Sequence, residues 1–285
     1  PHHLINLDFM TVVDYWLDDK YERGLVAESI GEHWLIRLLD REDDHCKEIS
    51  LSLLRVLYKI QFVEKEYDVS TSKDAILRFD SWYAKNINKK VAAKAGQVIG
   101  LAAVDLFQNS LELILAEQNN DRWSAVWRPA IEDHEQNRGV DNADGIIVEA
   151  YRDSLLGYIG EAPLAGDKCV EYIGRILESP YETVRRIAIY AIDQRFEQVR
   201  QLVDRAIVGH HFSDNFRHEL WHLLQRHFRK FSIVEKKMVL TAINYLKEED
   251  NKGRINEGAT AYNHAIWLSA IKDYGDDIAW LFRQA

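Results

Sequence analysis

Apolar residues along this chain recur at helical spacing. Met10, Val13, Trp16 and Leu17 follow i, i+3, i+4 steps, as do Leu35, Leu38 and Leu39 and, more loosely, Leu53, Leu54, Leu57, Ile60 and Phe62. Each set lays one apolar stripe along a helix. Start signals punctuate the pattern. Ser179-Pro180-Tyr181-Glu182 predicts a capping box with proline at the first helical position, and Ser232 with Glu235 predicts a second. No run reads as a convincing set of alternating strands. The expected fold is all-α.

Small residues crowd one stretch: Ala92, Ala93, Ala95, Gly96, Gly100, Ala102 and Ala103 between residues 91 and 104. A helix there is expected to pack closely against a neighbour, since glycine inside a helix destabilises it unless packing requires it. Polar breaks fall at 132–144, which contains Gly139, at 161–167, which contains Pro163 and Gly166, and at 250–257. The first sets an expected division: an N-terminal helical part over 1–140 and a repeat-like part over 141–285, or one continuous solenoid.

Residues 167–207 carry the most informative pattern. Asp167 is placed to cap a helix bearing Val170, Ile173, Ile176 and Leu177. After the Ser179-Pro180 turn, a second helix reads TVRRIAIYAIDQRFEQV, with Val184, Ile187, Ala188, Ala191, Ile192, Phe196 and Val199 at helical spacing. This pair resembles a HEAT repeat, on the Val184-Arg185 step followed by alanines at close-packing positions, Ala188 and Ala191. The resemblance implies an irregular α-solenoid of helical hairpins, in which Ile189 and Tyr190 face a stacked neighbour. Three segments together, WRPAIEDHEQN from Trp127, SPYETVRRIAIYAI from Ser179 and FRHELWHLLQRHF from Phe216, resemble the helical regions of large bacterial STAND-type NTPases of antiphage defence. That likeness implies a sensor or scaffold segment that binds a protein, such as a viral one or another domain of the parent chain. No GxxxxGK[ST] loop occurs here, so ATP binding by that route is not expected of this chain.

Composition narrows the classes. The chain has 285 residues, 47% hydrophobic and 29% charged, as in ordinary globular domains. It has only 4 prolines, which suits a mostly helical chain. A net charge of −10 argues against a general nucleic-acid binder and against an anionic membrane surface. The most apolar stretch, 98–104, is far shorter than a membrane span. Cys46 and Cys169 form no paired motif, so reduced thiols and a cytoplasmic setting are expected. The chain starts at Pro1 rather than methionine, which suggests a piece of a longer protein.

One catalytic motif stands out. His218-Glu219-Leu220-Trp221-His222 matches HExxH, in which two histidines a helical turn apart hold zinc and the glutamate activates water. At about 100° per residue, Phe216, Leu220, Leu223, Leu224 and His227 share one face, with His218, His222, Gln225 and Arg229 opposite. Both imidazoles are thus expected to face solvent or a partner, and no third ligand is evident. Glu219 would be the base of a zinc hydrolase, the alternative to a binding protein without catalysis or cofactor. The same helix carries a basic strip of Arg217, His218, His222, Arg226, Arg229 and Lys230, extended by Lys236 and Lys237. Trp221 at its edge is a candidate anchor. The strip is expected to contact an acidic partner, with a nucleic-acid strand as the further alternative. An acidic pole lies over residues 8–44, with eleven acidic residues against Lys20, Arg23, Arg37 and Arg41; it reads as solubilising surface or as a dock for a basic partner. The loop Glu132, Asp133, His134, Glu135, Gln136, Asn137 and Arg138 gathers groups able to bind a metal or move protons, and its Asp and Asn could cap the next helix. Trp34, Trp82, Trp123, Trp127, Trp221, Trp267 and Trp280 sit mostly in apolar stripes, as core residues do.

Overall fold

The computed structural model describes residues 9–18, 23–41, 43–64, 73–137, 142–160, 166–249 and 252–275. Arg138, Gly139, Pro163 and Trp280 lie outside them, as do parts of the acidic pole and of the three polar breaks. Among the described residues the fold is all-α apart from one antiparallel pair of short strands. In order, the elements are α1 (Phe9–Asp18), α2 (Arg23–Ser29), a π-helical stretch (Ile30–Leu35), α3 (Ile36–Leu39), α4 (Asp44–Leu57), β1 (Gln61–Glu64), β2 (Lys73–Ile76), α5 (Ser81–Ile99), α6 (Leu101–Gln118), α7 (Ser124–Trp127), α8 (Ala143–Ile159), α9 (Asp167–Ile176), α10 (Glu182–Gln194), α11 (Val203–Ala206), α12 (Arg217–His227), α13 (Ile233–Tyr245) and α14 (Glu257–Ala270), with short 3-10 turns between. No described helix is long and apolar enough to cross a membrane.

Two compact units form: Pro1–Arg122 with Asp133–Cys169, and Trp123–Glu132 with Val170–Ala285. In the first, α8 is buried along most of its length, including Ile146, Ile147, Val148, Tyr151 and Leu155. Asn142 caps it by accepting a hydrogen bond from the Gly145 N–H. Helices α5 and α8 meet backbone to backbone. A Cβ on Gly96 would lie 1.8 Å from the Ser154 carbonyl oxygen, and one on Gly157 would lie 1.9 Å from that of Ala93. This is the close packing expected of the small residues. The single helix expected through residue 104 is instead two, because Gly100 adopts φ +77° and ends α5. That φ is open to glycine at little cost and turns the chain into α6. The side chain of Asn88 on α5 donates to the Ile146 carbonyl at 2.9 Å and accepts from the buried Tyr58 hydroxyl, so these interior polar groups are satisfied.

The stripe over Leu53, Leu54 and Leu57 is buried, but Phe62 lies beyond the helix on β1. β1 and β2 pair antiparallel, with Phe62 opposite Ala75. Four-residue strands with little apolar alternation give no periodic signal.

In the second unit, α10 is the central helix. Val184, Ile187, Ala188, Ile189, Ala191 and Ile192 are buried, as are Phe196 and Val199 beyond its end. The capping box at Ser232 forms as expected: its hydroxyl accepts from the Glu235 N–H, and the Glu235 carboxylate accepts from the Ser232 N–H. The box expected at Ser179 does not form. The helix starts later, at Glu182 after an extended Tyr181, and the Ser179 hydroxyl accepts from the Tyr181 N–H as a local turn. Of the tryptophans read as core, Trp267 is buried, whereas Trp82 and Trp123 are 60% and 57% exposed.

Candidate functional site

The HELWH motif lies on α12, whose Leu220, Leu223 and Leu224, with Phe216 just before it, are buried as the spacing predicted. Glu219 is buried with them. Its carboxylate is gripped side-on by Arg186 of α10, which donates from Nε to Oε2 at 2.8 Å and from Nη2 to Oε1 at 2.9 Å. Neither side chain is exposed. Burying two charges is costly unless every polar atom finds a partner, and the chain segment before Glu132 supplies the partners. Arg186 also donates to the Ser124 hydroxyl and the Arg128 carbonyl, both at 2.8 Å, and to the Pro129 carbonyl at 3.1 Å. Glu219 Oε1 accepts from the Ile131 N–H at 2.9 Å. The Ser124 and Thr183 hydroxyls share a hydrogen bond of 2.7 Å, and Arg128 Nε donates to the Ala130 carbonyl at 2.9 Å.

This network fixes Ile131, and so places the next residue. Glu132 lies beside α12 with Oε1 2.9 Å from His218 Nε2. His222, one turn on, has its ring centroid 4.7 Å from that of His218. Ligand atoms of Glu132, His218 and His222 all lie within 4.8 Å of one another. All three residues are half-buried, with the imidazoles off the apolar face of α12 and beside Glu132. Glu132, read in the sequence only as part of a polar loop, thus stands as a third candidate donor beside the two histidines, brought in from a segment 86 positions away. Burial lowers the His222 pKa first, and His218 and Arg226 lower it further. Its Nδ1 is buried without a hydrogen-bond partner among the described residues.

The basic strip is largely engaged within its own unit. Arg217 donates to Asp214 and, at 3.0 Å, to Asn263. Arg226 pairs with the buried Asp193, and Lys230 with Glu197. Arg229 is exposed. Trp221 is half-buried and donates its indole N–H toward the Ile266 carbonyl and the Ser269 hydroxyl of α14, both at 3.2 Å. Asp133, the next residue of the polar loop, belongs to the first unit and accepts from Arg152 at 2.8 Å.

Elsewhere in the second unit, an open groove of about 740 Å³ runs along α13, lined by residues including Ile207, Val208, Val234, Met238, Tyr245 and Leu246. Val234 and Tyr245 are 69% and 73% exposed. In the sequence the only signal of this groove is the apolar Ile233-Val234 pair after the Ser232 cap.

No protein-family model matches the chain, and neither does any curated protein or solved structure.

Proposed function

We propose that this chain is a macromolecule-binding helical module, a HEAT-like solenoid segment of a larger bacterial antiviral protein, with no catalysis of its own. The observation that carries the reading is the apolar groove on α13. Val234 and Tyr245 hold large apolar surface in water at a concave site, which is what a protein contact uses and what a solitary surface otherwise avoids. The resemblance of the α9–α10 pair to a HEAT repeat supports the solenoid, and the likeness of the three longer segments to STAND-type helical regions supports the defence setting. The internal partners of Arg217, Arg226 and Lys230 weigh against a nucleic-acid strand on that strip. Peptide hydrolysis at the HELWH motif would require Glu219 to take a proton from water, and both of its oxygens are committed to Arg186.

The test places a photo-crosslinking residue at Val234 or Tyr245 in the cells that make the protein, with and without phage infection. An adduct with one protein at both positions, absent at the exposed control Trp82, with the Tyr245 adduct abolished by Val234→Glu, supports the reading. Absence of protein adducts in both conditions, or adducts with nucleic acid alone, overturns it.

A further inference from the structure

We propose that Glu132, His218 and His222 bind one divalent transition-metal ion of the zinc class, as a clamp between the segment ending at Glu132 and helix α12. The three ligand atoms lie within 4.8 Å of one another. Two imidazoles and a carboxylate form a common donor set for zinc and its neighbours, with water in the fourth position. Bonds of about 2.0–2.1 Å in a tetrahedron hold ligand atoms roughly 3.4 Å apart. His218 Nε2 and Glu132 Oε1 are already closer than that, at 2.9 Å, so coordination asks this pair to part slightly and the third ligand atom, within 4.8 Å, to complete the set.

The fold prearranges the set. The i, i+4 spacing stacks His218 over His222 on one side of α12. Glu132 is held by its neighbour: the Ile131 N–H is fixed to Glu219, which is fixed to Arg186. His222 Nδ1 is buried and has no hydrogen-bond partner among the described residues. The nearby Arg226 guanidinium, which would repel a cation, is paired with Asp193.

In this arrangement the motif glutamate and the metal have separate roles. Glu219 faces inward and holds the Glu132 segment, while the histidines on either side face the ion. The metal adds a cross-link between residues 86 positions apart in sequence.

The full chain, stripped with a chelator and carrying His2→Ala and His3→Ala to remove that N-terminal pair, is titrated with zinc by calorimetry and with cobalt by visible absorption. One equivalent of each is expected, with tetrahedral cobalt bands and a zinc-dependent rise in Tm. His218→Asn, His222→Asn and Glu132→Gln should each weaken zinc by more than roughly 100-fold, since losing a ligand exceeds the 10–100-fold cost of losing an outer partner. His134→Asn and His264→Asn should change nothing. Glu132→Gln keeps the size and an acceptor oxygen, so it tests ligation even if a histidine variant fails to fold. No stoichiometric binding by the parent chain, or binding that survives in the folded variants among the three, overturns the proposal.

Discussion

Arg186 and Glu219 meet through two parallel hydrogen bonds of 2.8 and 2.9 Å, with no solvent access to either side chain. The pair closes α10 onto α12 and holds the segment 124–131 between its remaining hydrogen bonds. Removing one partner strands a buried charge, which costs about 3–5 kcal/mol. Glu219→Ala and Arg186→Met should each lose about that much in urea unfolding. The double variant should lose clearly less than the sum, because both changes break one interaction. Additive losses would show that the pair is not the energetic link.

Helices α5 and α8 approach so closely that side chains are excluded at two points. Gly96→Ala and Gly157→Ala each drive a methyl into a backbone carbonyl, so each should destabilise by about 1–3 kcal/mol or more. Gly209→Ala, where a Cβ meets nothing within 4 Å, should stay within about 0.5 kcal/mol of the parent. Equal effects at all three positions would contradict the packing described.

His211 gives the fold a defined acid sensitivity. Its side chain is buried, donates from Nδ1 to the Ala206 carbonyl at 2.9 Å, and has no hydrogen bond at Nε2 among the described residues. Burial lowers its pKa from 6.5 to about 4. Between those values the unfolded chain binds a proton that the folded chain refuses. Stability therefore falls as pH drops through 6.5 and continues to fall to about 4, by on the order of 3 kcal/mol from this group. His211→Phe should remove that part of the slope in chemical unfolding measured from pH 7 to 4, whatever its effect at pH 7. An unchanged slope would rule out His211 as its source.

Cys46 and Cys169 are buried and unpaired. Burial raises both thiol pKa values, that of Cys169 to about 11, so little thiolate is present at neutral pH. A thiol reagent should label neither in the native chain within the time that labels both in guanidinium. Rapid native labelling would mean that these thiols open to solvent.

The buried faces were legible where they repeat. Val184, Ile187, Ala188 and Ala191 on α10, and Leu220, Leu223 and Leu224 on α12, are buried because their spacing already makes a stripe. Ser232 and Glu235 announced a cap through local chemistry alone. The site was only half legible. His218 and His222 stand in one motif, but Glu132 reaches them through tertiary closure, which no local window carries. Arg186 follows Arg185 and looks like a second surface cation; its role depends on Glu219, 33 residues on. Glu219 looked like a base because the motif supplies that role, and its inward direction depends on α10. The break at Gly100 was hidden because glycine suits both a close-packed helix and a positive φ.

The segment Trp123–Glu132 belongs to the second unit, although the first resumes at Asp133 and continues to Cys169. During synthesis this segment leaves the ribosome well before Arg186 and Glu219, the residues that seat it. The first unit has all of its chain while the segment still has nothing to bind. Order of emergence thus favours completion of the first unit, with ten residues waiting as an unseated loop until α12 arrives. Nor does any single cut yield both units intact: a break before Trp123 leaves the first unit without α8, and a break after Cys169 deprives the second of the segment that anchors its buried charges.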